Sequence, residues 1–214
     1  MFKKNVISSI VIVLILCSLF IAFYTRQSFI DNTNYNESDI NNFAVQINTN
    51  DFGWYNREIK TIDDLKQDSC LVVKVKTLDE RKIKYKTMLS KVKILEVYKG
   101  DKNLVNEEVE VYEAVFPEQR SNNLISYNGC IPMVNDNEYI LFLKSPIPSE
   151  GYNEKEYMYT SDKFAKYSLK ENDCFIYNKD IKFNEVSSYN IILSDEIDIE
   201  IYKSIKDEVL KEFA

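Results

Sequence analysis

From residue 5 to residue 25 the chain carries no charged side chain, and this run constrains the fold more than anything after it. Its centre, from Val6 to Tyr24, reads VISSIVIVLILCSLFIAFY. As a helix rising about 1.5 Å per residue, those nineteen residues span roughly 28 Å, close to the hydrocarbon thickness of a bilayer. The run is apolar all round rather than on one face, unlike the core helix of a soluble domain. It exceeds the ~7–15 residues of a signal-peptide core, and FIAFYT offers only Ala22 as a small residue for cleavage. Cys17 follows Leu16, not the small residue that lipidation requires. Lys3 and Lys4 precede the run and Arg26 alone follows it, so the positive-inside bias puts the N-terminus in the cytoplasm and the main domain outside. Residues 1–26 are expected to form a retained signal-anchor, a single-pass transmembrane helix in the cell membrane, with a cleaved signal as the alternative.

Charge separates this segment from the rest. The whole chain has 27 basic and 34 acidic residues and a net charge of -7. Residues 1–26 contribute +3 through Lys3, Lys4 and Arg26, so the other 188 residues carry -10. A domain so acidic is repelled by nucleic acid, and no nucleic-acid partner is expected. The chain has no histidine, which excludes Ser-His-Asp and Cys-His catalysis and His-ligated zinc. At 45% hydrophobic, the sequence is too apolar for a disordered chain.

Residues 27–57 read as a spacer. Eight of the residues from 31 to 56 are Asn, and no period of 2 or 3.6 emerges apart from a short FAVQI patch at 43–47. The cluster Phe52-Gly53-Trp54-Tyr55 is too aromatic to be wholly solvated and is expected to dock on the domain edge. Asn36-Glu37-Ser38 matches a glycosylation acceptor, a weak signal in an Asn-rich stretch.

The domain proper is expected over residues 58–184. Thr61 can cap a short helix with Asp63 and Asp64 in its first turn. Residues 70–77, CLVVKVKT, alternate as a half-buried strand does. Residues 85–97 form a second strand whose apolar parity flips near Ile94, which predicts a bulge. Lys99-Gly100-Asp101 is turn chemistry. Residues 107–115 alternate again, and YILFLK at 139–144 reads as a strand buried on both faces. Weaker strands follow near 157–160, 164–169 and 174–177. In the C-terminal extension, residues 185–214, apolar residues recur at Ile197, Ile201, Ile205, Val209 and Phe213, predicting an amphipathic helix.

The runs DSCLVVKVK, SKVKILEVYKGD, VEV and MVNDNEYILFL together resemble a small five- to six-stranded barrel domain found in membrane-anchored surface proteins of Gram-positive bacteria. That domain is similar to the OB-fold and to the TIMP-like (netrin-like) barrels. The resemblance covers roughly residues 61–177. It implies a fold that is mainly β with peripheral helices, exposed at the cell surface, in proteins mostly without an assigned activity. TIMP-like inhibitors act through an N-terminal cysteine; here Cys70 lies deep in the chain with no free amine, so the resemblance does not carry that mechanism over.

Residues with chemistry to offer are few. Lys84, Lys86, Lys91 and Lys93 fall at alternate positions on adjoining strands, and with Tyr85, Tyr98 and Tyr112 they are the candidate binding face. The competing reading is an edge guarded by lysines against aggregation. Outside the apolar run stand Cys70, Cys130 and Cys174, an odd number; Cys130–Cys174 is the preferred pair if one disulfide forms, and three small buried thiols is the alternative. Asn135-Asp136-Asn137-Glu138 has oxygen ligands but not the spacing of a calcium loop, so no metal is expected. Glu107, Glu108 and Glu110 read as a solvated strand face. No catalytic residue and no cofactor is expected. The sequence therefore points to a membrane-tethered, extracytoplasmic module that binds a protein or cell-envelope partner and does no catalysis. A carbohydrate-binding OB-like face and, more remotely, an enzyme with carboxylate or thiol chemistry are the alternatives.

Overall fold

A run of Val, Ile and Tyr in period 2 pairs into sheets when each strand buries one face, and the longer strands of this chain are built from such runs. The computed structural model describes residues 2–27, 40–49, 53, 55–56, 58–146, 153–170, 174–177 and 180–213. Asn36, Phe52 and Trp54 lie outside the described residues, as does most of the expected spacer. Contacts divide the chain into two units, Met1–Asn32 and Thr33–Ala214.

The first unit holds one helix, α1 (Phe2–Gln27). Its described side chains, those of residues 11–26, are all exposed. Among the described residues no helix is long and apolar enough to cross a membrane. The expected transmembrane helix is thus present as a helix, but not as a demonstrated span.

The second unit is mainly β. Its strands are β1 (Ala44–Asn48), β2 (Leu71–Lys84), β3 (Thr87–Lys99), β4 (Glu108–Glu113), β5 (Val115–Glu118), β6 (Asn123–Tyr127), β7 (Glu138–Lys144), β8 (Glu156–Tyr159), β9 (Lys166–Ser168), β10 (Cys174–Ile176) and β11 (Ile191–Leu193). Helix α2 (Ile62–Asp68) starts as expected: the Asp64 N–H donates to Thr61 Oγ1 at 3.2 Å, and the Thr61 N–H donates to Asp64 Oδ2 at 2.9 Å. A short α3 (Phe183–Val186) and a long α4 (Glu196–Phe213) complete the fold.

The largest sheet runs β2-β3-β4-β8-β7-β9, and β2 also pairs with β7. Lys74 faces Glu96 while Val75 faces Ile94, so Leu95 is bulged, next to the residue where the sequence parity flips. The pairings lead from β2 through β3, β4, β8 and β7 back to β2. Yet the four-residue β8 joins β4 over three residue pairs and β7 over two. A seam this short leaves the expected five- to six-stranded barrel unclosed. β7 is buried along Tyr139, Ile140, Leu141, Phe142 and Leu143, as its unbroken apolar run predicts. Val73, Val75, Val92, Ile94 and Val111 fill the centre, each adding roughly 1.5–3 kcal/mol of burial.

A second sheet, β1-β6-β5, lies within the same unit. β1 belongs to the stretch read as spacer, but Ile40, Phe43 and Val45 are buried and β1 pairs in parallel with β6. These three residues join a core with Val115, Leu124, Ile131, Val186 and Ile192. β10 and β11 form a separate parallel pair. Gly129, at φ +86, lets the chain pass against β11: a Cβ there would stand 1.8 Å from the Ile192 carbonyl oxygen.

Helix α4 packs on the first core through Tyr202, Ile205 and Val209, whereas Ile197 is 67% exposed. The expected stripe repeats every fourth residue, and each such step advances about 400° around a helix of 3.6 residues per turn. The stripe therefore drifts by ~40° per step, and its first member turns away from the core.

Candidate functional site

The β2–β3 hairpin ends in a two-residue turn between the paired Lys84 and Thr87. Both turn residues, Tyr85 and Lys86, have positive φ, 53° and 55°. This is the backbone of a type I′ turn, whose twist matches the flanking strands and which Asn-Gly adopts with least strain. A bulky side chain at positive φ is an outlier. The sequence reading placed these residues within a strand because their types carry no turn signal.

Lys84, the last residue of β2, turns its ammonium onto Glu156 of β8, with Nζ 2.8 and 2.9 Å from the two carboxylate oxygens. The Tyr112 hydroxyl donates to the same carboxylate at 2.6 Å. The ammonium also lies 5.3 Å from the Tyr85 ring centre and 5.7 Å from that of Tyr112. Glu156 is 5% exposed. Its burial opposes the charge, but the Lys84 ammonium and the Tyr112 hydroxyl outweigh it and hold its pKa below the ordinary value.

Beside this turn opens a cleft of about 340 Å³. Tyr85, Lys86 and Thr87 form one side; Phe116 and Glu118 of β5 and Ile125 and Tyr127 of β6 form another; Asn48 and Tyr55 also line it. Phe116 and Tyr127 stack at 6.2 Å and 30°. Burial raises the Tyr127 phenol pKa, which keeps it a protonated donor. Glu118 accepts a hydrogen bond from Ser121 Oγ at 2.5 Å. The Lys144 ammonium lies 6.0 Å from the Tyr55 ring, and burial lowers its pKa. The volume falls within the ~300–1,000 Å³ of small-ligand pockets, and the walls are aromatic with a few polar groups, as such pockets usually are.

The seven residues of the expected binding face do not converge. Lys84, Tyr85, Lys86 and Tyr112 gather at the hairpin tip, and Tyr85 and Lys86 reach the cleft. Lys91 pairs with Glu80 at 2.5 Å and Glu108 at 3.6 Å. Lys93 stands between Lys76 and Glu108 in the register. With Lys82 on Glu110 at 2.6 Å, the lysine stripe is laced with carboxylates instead of forming a basic surface. Tyr98 lies under α4, donating its hydroxyl to the Phe213 carbonyl at 2.8 Å, with the two rings 4.6 Å apart. Burial pushes its pKa up to about 12.

No known protein family, curated protein or solved structure matches the chain. The barrel resemblance therefore stands on the quoted residues alone, and the chemistry must be read from the geometry.

Cys70, Cys130 and Cys174 are all free thiols, so the candidate Cys130–Cys174 pair is not formed. Both face Ile191, Cys130 from one side and Cys174 from the other. Two interstrand steps of about 5 Å put them beyond the ~7 Å that a disulfide allows between Cα atoms. Burial pushes the Cys130 thiol up to about 12, so it stays protonated.

A buried polar cluster that the sequence did not single out lies near Cys130. The Glu113 carboxylate, fully buried, accepts from Ser90 Oγ at 2.5 Å, the Met133 N–H at 2.7 Å and the Tyr159 hydroxyl at 3.3 Å. Lys166 donates to the Ile131 carbonyl, and Asn128 Nδ2 donates to Asp162 Oδ2 at 2.5 Å. These bonds pin residues 128–133 against the sheet, a structural task. The only sequence signal was Glu113 falling on the same parity as Val109 and Val111. Among the described residues no group of metal ligands comes together, and Asn135 instead donates to Asp79 at 2.6 Å.

Proposed function

We propose that this chain is a binding module tethered to a membrane by α1, displayed outside the cell, and that it holds a protein or cell-envelope partner in the cleft between the β2–β3 turn and the β5–β6 hairpin. The observation that carries the reading is the cleft itself: four aromatic side chains, Tyr55, Tyr85, Phe116 and Tyr127, line one cavity with Lys86 and Glu118 on its polar side. The tether rests on the charge-free run from residue 5 to residue 25 and on the continuous helix Phe2–Gln27. The barrel part of the reading, a partly open OB-like barrel, is supported by the way the strand pairings turn back on β2. The non-catalytic part is supported by the high pKa of Cys130 and by the hydrogen bonds that already occupy Glu113 and Glu156.

The test is sedimentation of the full chain, reconstituted in lipid nanodiscs, with isolated cell envelopes. Tyr85→Ala and Tyr127→Ala are expected to lower the bound fraction at least about ten-fold, the scale of losing an aromatic anchor. No co-sedimentation of the unaltered chain, or equal binding by both variants, overturns the cleft. Recovery of the intact chain in the soluble fraction of cells overturns the tether.

A further inference from the structure

The two residues at the tip of the β2–β3 hairpin hold a backbone that their side chains disfavour. Tyr85 and Lys86 both sit at positive φ, where Asn-Gly would make the same turn with less strain. Neither side chain is tucked away: Tyr85 is 51% exposed, and Lys86 is exposed and in no ion pair among the described residues. Both line the aromatic cleft. Strain held by exposed side chains at the rim of a cavity is the pattern of a contact site.

We propose that the cleft binds a pyranose sugar bearing a carboxylate, with Tyr85 as a stacking face and Lys86 as the cation for the acid group. The proposal rests on the reading of this cleft as the ligand site. A pyranose ring has one face of C–H groups, which packs on aromatic rings, and an edge of hydroxyls, which needs both donors and acceptors. The cleft supplies both kinds of surface: rings from Tyr85, Phe116 and Tyr127, and polar groups from Asn48 and Glu118. A cavity of about 340 Å³ suits a sugar unit.

Charge selects the acid. Lys84 is committed to Glu156 at 2.8 Å; Glu118 accepts the Ser121 hydroxyl at 2.5 Å through one oxygen, which leaves the other for the sugar's hydroxyls. Among the described lining residues, Lys86 is thus the cation with its donors open to a ligand. Its ammonium on a flexible stem recognises a carboxylate as a point charge. The strained turn fixes where that stem begins, which lowers the ordering cost of binding.

The experiment is titration calorimetry on the full chain in lipid nanodiscs, with cellobiouronic acid and with cellobiose, its uncharged counterpart. The acid is expected to bind saturably and cellobiose about five-fold more weakly, the scale of one exposed ion pair. Lys86→Gln is expected to erase that difference. The double variant Tyr85→Asn, Lys86→Gly is expected to melt at a higher temperature than the unaltered chain and to bind neither sugar. Cellobiose binding as tightly as the acid overturns the carboxylate; so does a difference that survives Lys86→Gln. Undiminished binding by the double variant overturns the turn as a contact. If neither sugar binds while envelope binding still depends on Tyr85, the sugar class fails and the cleft stands. If envelope binding is also independent of Tyr85, both fail.

Discussion

At the scale of single residues, two positions show how little room the fold leaves. Gly129 has positive φ and the Ile192 carbonyl where a Cβ would go. The backbone Ile192 N–H also donates to the Gly129 carbonyl at 2.9 Å, so neither strand can retreat without losing a bond. Gly129→Ala is expected to cost at least about 3 kcal/mol, from steric strain plus a broken buried bond, and a urea melt measures it. Glu156 has a pKa below its ordinary 4.5, so it stabilises the fold fully above that value. The contribution is lost as pH falls from about 4.5 through the lowered folded value. The melting temperature of the unaltered chain should therefore drop more steeply below pH 4.5 than that of Glu156→Gln, which has no proton to take up. Parallel slopes would refute the role of the Lys84–Glu156–Tyr112 cluster.

At the scale of elements, α4 is fastened at its far end. Phe213 stacks near Tyr98, meets Phe142 edge-on at 6.1 Å and lies under the Lys66 ammonium at 5.5 Å. Lys66 also pairs with Glu212. Phe213→Ala is expected to cost about 2–3 kcal/mol and to speed amide exchange along α4 before the β2–β3 sheet is affected. The other end has less to lose, since Ile197 is exposed. Ile197→Ser is expected to change stability by less than about 0.5 kcal/mol. The two variants together separate a helix held by its C-terminus from one held along its length.

At the scale of the whole molecule, thiol reactivity reads out the architecture. Cys70 is exposed and Cys130 is buried with its thiol pushed up to about 12. Alkylation of the folded chain should label Cys70 and spare Cys130, and an oxidised sample should show no internal bridge on a non-reducing gel. A Cys130–Cys174 adduct would contradict the register that places Ile191 between them. The sequence made much of this arrangement legible. Thr61 and Asp64 announced α2, the parity flip near Ile94 announced the bulge, and the unbroken YILFL run announced a doubly buried β7. What escaped were elements whose burial comes from distant partners. β1 is five residues in an Asn-rich stretch, and β11 is three residues, Ile191–Leu193. β1 is held by a strand far away in the chain, and β11, too short to display a period, by its pairing with β10 and its bridge to Cys130. The cleft escaped for the same reason. Tyr85 and Lys86 look like strand residues, and Phe116 and Tyr127 belong to strands that come to face them only once the fold is complete.

That dependence on distant partners bears on how the chain leaves the ribosome. Ala44 pairs with Asn123, 79 residues later, and Leu71 pairs with Leu143, 72 residues later. At ~5–20 residues per second, β1 waits roughly 4–16 s for its partner to be made. During that interval Val45 of β1, and Ile40 and Phe43 just before it, lack the partners that bury them. The β2–β3 hairpin is local, but until the long-range pairings close the domain is incomplete and remains threadable. An N-terminal segment that engages an export channel early would find the rest still able to pass through.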